Sequence, residues 1–141
     1  MEALRAAYPD AEIVLIARPW RHTFLTQRPG PIDRVVVIPD GGIGDESDTP
    51  QDLLELERFF AEMKRDRFDI AIQMHGGGRN SNPFTQRLEA RLTVGLRSPD
   101  AIPLDRWMPY VYYQPEILRY LELVSLIGAK PVTLEPYSSG L

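Results

Sequence analysis

The sequence has no cysteine. Disulfide frameworks, thiolate metal sites and cysteine nucleophiles are therefore excluded. Histidine is scarce: only His22 and His75 are present, far apart and in no H-x-x-x-H pair. That spacing gives no expectation of a protein-held transition metal. A basic stripe is missing as well. The formal net charge is −4, with acids and bases interspersed, so no nucleic-acid footprint is expected. A few local arginines can still bind an anionic small ligand. No apolar run approaches the roughly 18 residues that a spanning helix needs. The first ten residues, M-E-A-L-R-A-A-Y-P-D, carry neither the basic nor the apolar region of a signal peptide. These absences predict a cytoplasmic location and leave peripheral membrane contact open. The length, 141 residues, suits a single domain.

What is present is an alternation of short apolar runs with helical patterns. Ala3 to Tyr8 reads as the last turns of a helix, stopped at Pro9-Asp10. Glu12 to Ala17 and Arg34 to Ile38 are short apolar runs that suit strands buried on both faces. Pro19 opens a short helix through Trp20, Phe24 and Leu25. Thr49-Pro50-Gln51-Asp52 predicts a helix start, with Leu53, Leu56, Phe60 and Met63 facing a core and Arg58, Glu62 and Arg65 off that stripe. Asp69 to Met74 is the third strand. A helix from Ser81 or Asn82 to about Arg91 follows, then a fourth strand, Leu92 to Leu96. Ser98 to Tyr113 reads as irregular. Pro115 to Ile127 predicts a helix with Ile117, Leu121 and Val124 on one face and Gly128 as its stop. Pro131 to Leu134 begins another strand. The expected fold is α/β, doubly wound around a mostly parallel sheet.

Ligands of such sheets bind beyond the carboxyl ends of the strands. Those ends are Arg18 to Trp20, Pro39 to Asp45, His75 to Asn82 and Arg97 to Pro99. The third is the richest: Q-M-H-G-G-G-R-N-S-N joins a histidine, three glycines, an arginine and several amides. Glycines let backbone approach a ligand closely, and Arg79 can pair with phosphate or carboxylate. The competing reading is a plain glycine turn with an ordinary helix cap. H-G-G-G also occurs in esterase oxyanion loops, but no G-x-S-x-G elbow accompanies it here. G-G-I-G-D lacks dinucleotide-fingerprint spacing, and no phosphate-binding G-x-x-x-x-G-K occurs. Asp40 and Asp45 read better as turn residues than as a carboxylate pair. Trp107, Tyr110, Tyr112 and Tyr113 suit stacking on a sugar or lipid, or packing over a core edge.

Taken in order, L-R-A-A-Y-P-D-A-E-I-V-L-I, I-D-R-V-V-V-I-P, R-F-D-I-A-I-Q-M-H-G-G-G-R-N-S-N, L-T-V-G-L and E-I-L-R-Y-L-E-L-V-S-L-I-G-A resemble the N-terminal domain of the heptosyltransferase-like family, glycosyltransferase family 9. The resemblance covers nearly the whole chain. It implies the Rossmann-like, acceptor-side half of a two-domain GT-B enzyme, with residues 1–141 a single partial N-terminal domain. It implies metal-independent transfer of a heptose-like sugar from a nucleotide-sugar, a substrate held by the other domain, to a glycan or lipopolysaccharide-core acceptor. No cofactor is implied. In the family a strand and a Gly-Asp loop precede the L-R-A-A-Y-P helix, and that aspartate is the expected base. The sequence begins after that loop, so no residue here is assigned as catalytic, and the isolated chain is expected to be inactive. His75, Gly76, Arg79, Ser81 and Asn82 are the expected acceptor contacts. With the first strand missing, the strands at Glu12 and Asp69 are expected either to pair directly or to be separated by a gap. The alternatives are a non-catalytic sugar- or nucleotide-binding module and an esterase completed elsewhere.

Overall fold

The computed structural model describes residues 1–25, 30–40, 43 and 49–131. The chain forms two compact units, one of Met1–Ile38 with Pro115–Leu141 and one of Pro39–Gln114. The fold is α/β, with parallel strands throughout.

The first unit holds α1 (Glu2–Ala7), β1 (Val14–Ala17), α2 (Pro19–Leu25), β2 (Arg34–Val37) and α5 (Glu116–Ser125). Strands β1 and β2 pair in parallel, Val14 opposite Arg34 and Ala17 opposite Val37. Arg5 organises the approach to both strands. Its guanidinium donates to Pro9 O (3.2 Å), Ala11 O (2.6 Å) and Pro31 O (3.0 Å), and it pairs with Asp33. Asp33 in turn accepts the Ile13 N–H at 2.7 Å. α1 packs on α5, and the Tyr8 hydroxyl donates to Ile127 O at 2.5 Å. The α5 stripe is shifted from expectation: Arg119, Leu123 and Val124 are buried, while Ile117 and Leu121 are only half-buried. Gly128 ends the run with φ +83°, a left-handed value that glycine adopts without strain.

The second unit holds α3 (Pro50–Asp66), β3 (Ile70–Gln73), α4 (Ser81–Arg87), β4 (Leu92–Arg97) and β5 (Arg106–Pro109). Thr49 caps α3 as predicted, its side chain accepting the Asp52 N–H. The buried stripe is Leu56, Phe59, Phe60 and Met63, and Leu53 is left 50% exposed. Phe59, Phe60 and Phe84 form one cluster, with Phe60 and Phe84 centroids 4.9 Å apart. Arg87 lies 4.0 Å over the Phe60 ring and bonds Glu57 at 2.6 Å.

Three expectations are corrected in this unit. α4 stops at Arg87 rather than Arg91, because Leu88 and Glu89 bond three residues back and Glu89 takes φ +53°. Its start at Ser81 is as expected, but the N-cap is Asn80 rather than Ser81 or Asn82. The stretch from Ser98 to Tyr113 is not wholly irregular: it contains β5, parallel to β4 with Val94 opposite Arg106 and Arg97 opposite Pro109. The sheet order is β3-β4-β5. Parallel neighbours usually need a crossover of about a dozen residues or more, commonly a helix. Here Ser98 to Asp105 suffices, so no helical pattern announced the strand. Pro109 is tolerated because β5 lies at the sheet edge.

β1 and β3 belong to different sheets, one in each unit. The strand expected from Pro131 lies, beyond that residue, outside the described residues, as do Gly41, Gly42, Gly44 and Asp45 of the second loop. No described helix is long and apolar enough to cross a membrane.

Two aspartates tie strand starts together. The backbone N–H of Thr93, and then its hydroxyl, hold the Asp105 carboxyl below the usual aspartate range. The Ile13 N–H and then Arg5 do the same for Asp33. A folded value below the unfolded one adds stability above the ordinary aspartate range. That stability is lost as pH falls through the folded value. Asp105→Asn should unfold at lower urea than the parent at neutral pH. The difference should shrink between about pH 5 and about pH 2 when followed by circular dichroism. A difference independent of pH would refute the carboxylate's role.

Candidate functional site

The carboxyl edge of the β3-β4-β5 sheet gathers three segments: the glycine loop after β3, Ser98 to Asp100 after β4, and Tyr110 to Gln114 after β5. The loop owes its shape to Gln73, the last residue of β3. Its side chain is buried, and Nε2 lies 2.5 Å from both His75 O and Ser81 Oγ. An amide nitrogen has two hydrogens, so these two acceptors take them and Gly76 O, at 3.3 Å, is the weaker contact. Gln73 Oε1 accepts the Leu96 N–H at 3.0 Å, and the Ser81 hydroxyl donates to His75 O at 2.9 Å.

The loop carbonyls are thereby turned inward. Among the described residues, the backbone N–H groups of Gly76, Gly77, Arg79 and Asn80 meet no protein acceptor. Gly76 and Gly78 have φ of +60° and +89°, conformations that glycine reaches at little cost.

The second segment is bonded to the first. Gly77 O accepts the Ser98 N–H at 2.7 Å, with the Ser98 hydroxyl 3.0 Å away. That hydroxyl has one hydrogen and lies closer to Asp100 Oδ1, at 2.6 Å. The Ser98 hydroxyl is the main cause holding the Asp100 carboxyl below the usual range, and the nearby Arg79 charge adds to it. Arg79 Nε stands 3.7 Å from Asp100 Oδ2, with both side chains largely exposed. Such a pair is weak and opens readily for a ligand. Asn82, fully buried, donates to Leu96 O (3.2 Å) and Ile102 O (2.9 Å), clamping the end of β4 to the short crossover. Its Oδ1 is buried and has no hydrogen-bond partner among the described residues. The third segment joins through Tyr110, whose N–H bonds Arg97 O at 2.9 Å. Arg97 itself donates to Ala101 O and lies 4.7 Å over the Trp107 ring.

The structure divides the five expected contact residues. His75, Gly76 and Arg79 are exposed on the loop. Ser81 and Asn82 are buried, and their polar groups face the protein interior, where they shape the loop. Gln73, Ser98 and Asp100 belong to the same arrangement and were not singled out from sequence. A polar residue inside the apolar run D-I-A-I-Q-M, directly before three glycines, was the available signal for Gln73. Comparison with models of known protein families, with curated proteins and with solved structures finds no match to the chain.

Proposed function

We propose that the chain supplies the acceptor-binding wall of a glycosyltransferase that moves a heptose-like sugar from a nucleotide-sugar to a glycan or lipopolysaccharide-core acceptor. One observation carries the reading. At the carboxyl edge of a parallel sheet, where such folds take ligands, a loop whose backbone N–H groups at Gly76, Gly77, Arg79 and Asn80 meet no acceptor among the described residues lies bonded to a segment carrying an exposed carboxylate. Hydroxyl-rich ligands need donors and acceptors side by side, and His75, Arg79 and Asp100 offer both. The resemblance in sequence order to the heptosyltransferase-like family supports the sugar-transfer class. The same edge would also serve a binding module without chemistry.

The test uses an enzyme that carries this segment together with a donor-binding domain. His75→Ala and Arg79→Ala should each raise the acceptor KM by about tenfold, as loss of one charge-assisted hydrogen bond would. The donor KM should stay unchanged. Unaltered acceptor kinetics in both variants would overturn the assignment. Acceptor binding with no transfer in the complete protein would favour the binding module.

A further inference from the structure

The turn after β5 runs against its own sequence preferences. The Gln114 N–H bonds Val111 O at 3.2 Å, which makes Tyr112 and Tyr113 the two central residues. Central turn positions favour Pro, Asn, Asp and Gly. Here they carry two aromatic rings, 75% and 92% exposed. The rings meet edge to face, with centroids 5.1 Å apart and planes at 87°. Lone exposed apolar side chains are ordinary, but a contiguous patch marks an interaction site. Val111 and Trp107, both partly exposed, belong to the same segment of chain. Tyr110, two residues before Tyr112, lies beside the glycine loop: its ring would stand 3.6 Å from a Cβ on Gly77.

We infer that the Tyr112–Tyr113 turn is a saccharide-stacking platform, with Tyr113 presenting its ring face to a pyranose of the acceptor. This rests on the glycan-acceptor reading above. A pyranose offers C–H groups on one face and hydroxyls around its rim. The first suit the electron-rich face of an aromatic ring, and the second need hydrogen-bonding groups. The neighbouring strand ends provide those groups in His75, Arg79 and Asp100, all exposed. An acyl chain would find no use for these polar groups at the same sheet edge. Stacking reads the C–H face rather than the identity of the sugar, so neutral trisaccharides serve as probes.

The experiment titrates the full chain with cellotriose and with maltotriose and follows it by nuclear magnetic resonance. Saturable shifts are expected in the Tyr112 and Tyr113 ring signals and in the His75 to Asn80 amides. Tyr113→Ala should weaken binding about three- to tenfold, while Tyr113→Phe and Tyr113→Trp should stay within about twofold of the parent. Tyr113 is 92% exposed, so these variants should fold as the parent does. Shifts at His75 to Asn80 with affinity unchanged in Tyr113→Ala would overturn the platform and leave the acceptor site standing. Ring shifts without loop shifts would uphold the platform and remove the acceptor site. Binding of neither trisaccharide would overturn both. Ring shifts that follow protein concentration, or vesicle binding lost in Tyr113→Ala, would assign the turn to a second copy or to a membrane and overturn the inference.

Discussion

Gly78→Ala should be among the most destabilising single substitutions in the second unit, far worse than Gly76→Ala two positions away. Both glycines have left-handed φ, +89° and +60°. An alanine at either pays about 1–2 kcal/mol for that backbone. Only Gly78 has a neighbour in the way. A Cβ there would stand 2.4 Å from Asn82 Nδ2 and 2.6 Å from its Cγ and Oδ1, whereas at Gly76 nothing among the described residues lies within 4 Å. The Asn82 amide cannot swing aside cheaply, since it holds the carbonyls of Leu96 and Ile102. Overpacking of this kind adds about 1–3 kcal/mol. Urea unfolding should therefore place Gly78→Ala about 2–5 kcal/mol below the parent and Gly76→Ala about 1–2 kcal/mol below it. Combining Gly78→Ala with Asn82→Ala should cost less than the sum of the two, because the clash disappears. Equal losses at the two glycines would show that the Asn82 contact is unimportant.

Gln73→Leu is the second large effect. Leucine fills much of the same space and restores none of the hydrogen bonds. His75 O, Ser81 Oγ and the Leu96 N–H would each lose a partner in a buried or half-buried setting. Each such loss costs about 1–3 kcal/mol, less where water can enter, so a total of about 2–4 kcal/mol is expected. Amide exchange should rise at Asn82, Leu96 and Ser98, whose N–H groups bond Gly78 O, Gln73 Oε1 and Gly77 O, because the bonds that hold the loop in place are gone. Gln73→Glu separates shape from bonding: it keeps an acceptor for Leu96 but cannot donate when ionised. Burial raises that carboxyl's folded value, so the variant should approach the parent at low pH and weaken as pH rises through the ordinary glutamate range. Unchanged stability and loop exchange in Gln73→Leu would refute the role given to Gln73.

The positions of four strands and most helix boundaries were legible because hydrophobic periodicity is a local signal. Val14 to Ala17, Arg34 to Val37, Ile70 to Gln73 and Leu92 to Arg97 lie where apolar runs placed them. Thr49 and Pro50 announced α3 through capping chemistry. β5 was not legible, because R-W-M-P is short, ends on a proline and is preceded by no helix. Its place depends on a contact with β4 that no local pattern encodes. The loop was legible as a location and not as a mechanism. Its glycines marked the turn, but the residue that sets the direction of its carbonyls lies one strand earlier. Ser81 and Asn82 looked like ligand contacts because polar residues beside glycines usually face solvent. Burial by Gln73 and by the crossover reverses that for both.

The short crossover between β4 and β5 also bears on the order in which the sheet assembles. The paired residues Val94 and Arg106 are nearer in sequence than Ile70 and Leu92 of β3 and β4, or Val14 and Arg34 of β1 and β2. Closing the smaller loop sacrifices less chain entropy, by about 0.5 kcal/mol for a near-halving of its length. Asp105 and Thr93 exchange bonds where that loop shuts. The pair that sequence patterning hides best is thus, among the described strand pairs, the parallel contact whose loop closes at the smallest entropic cost.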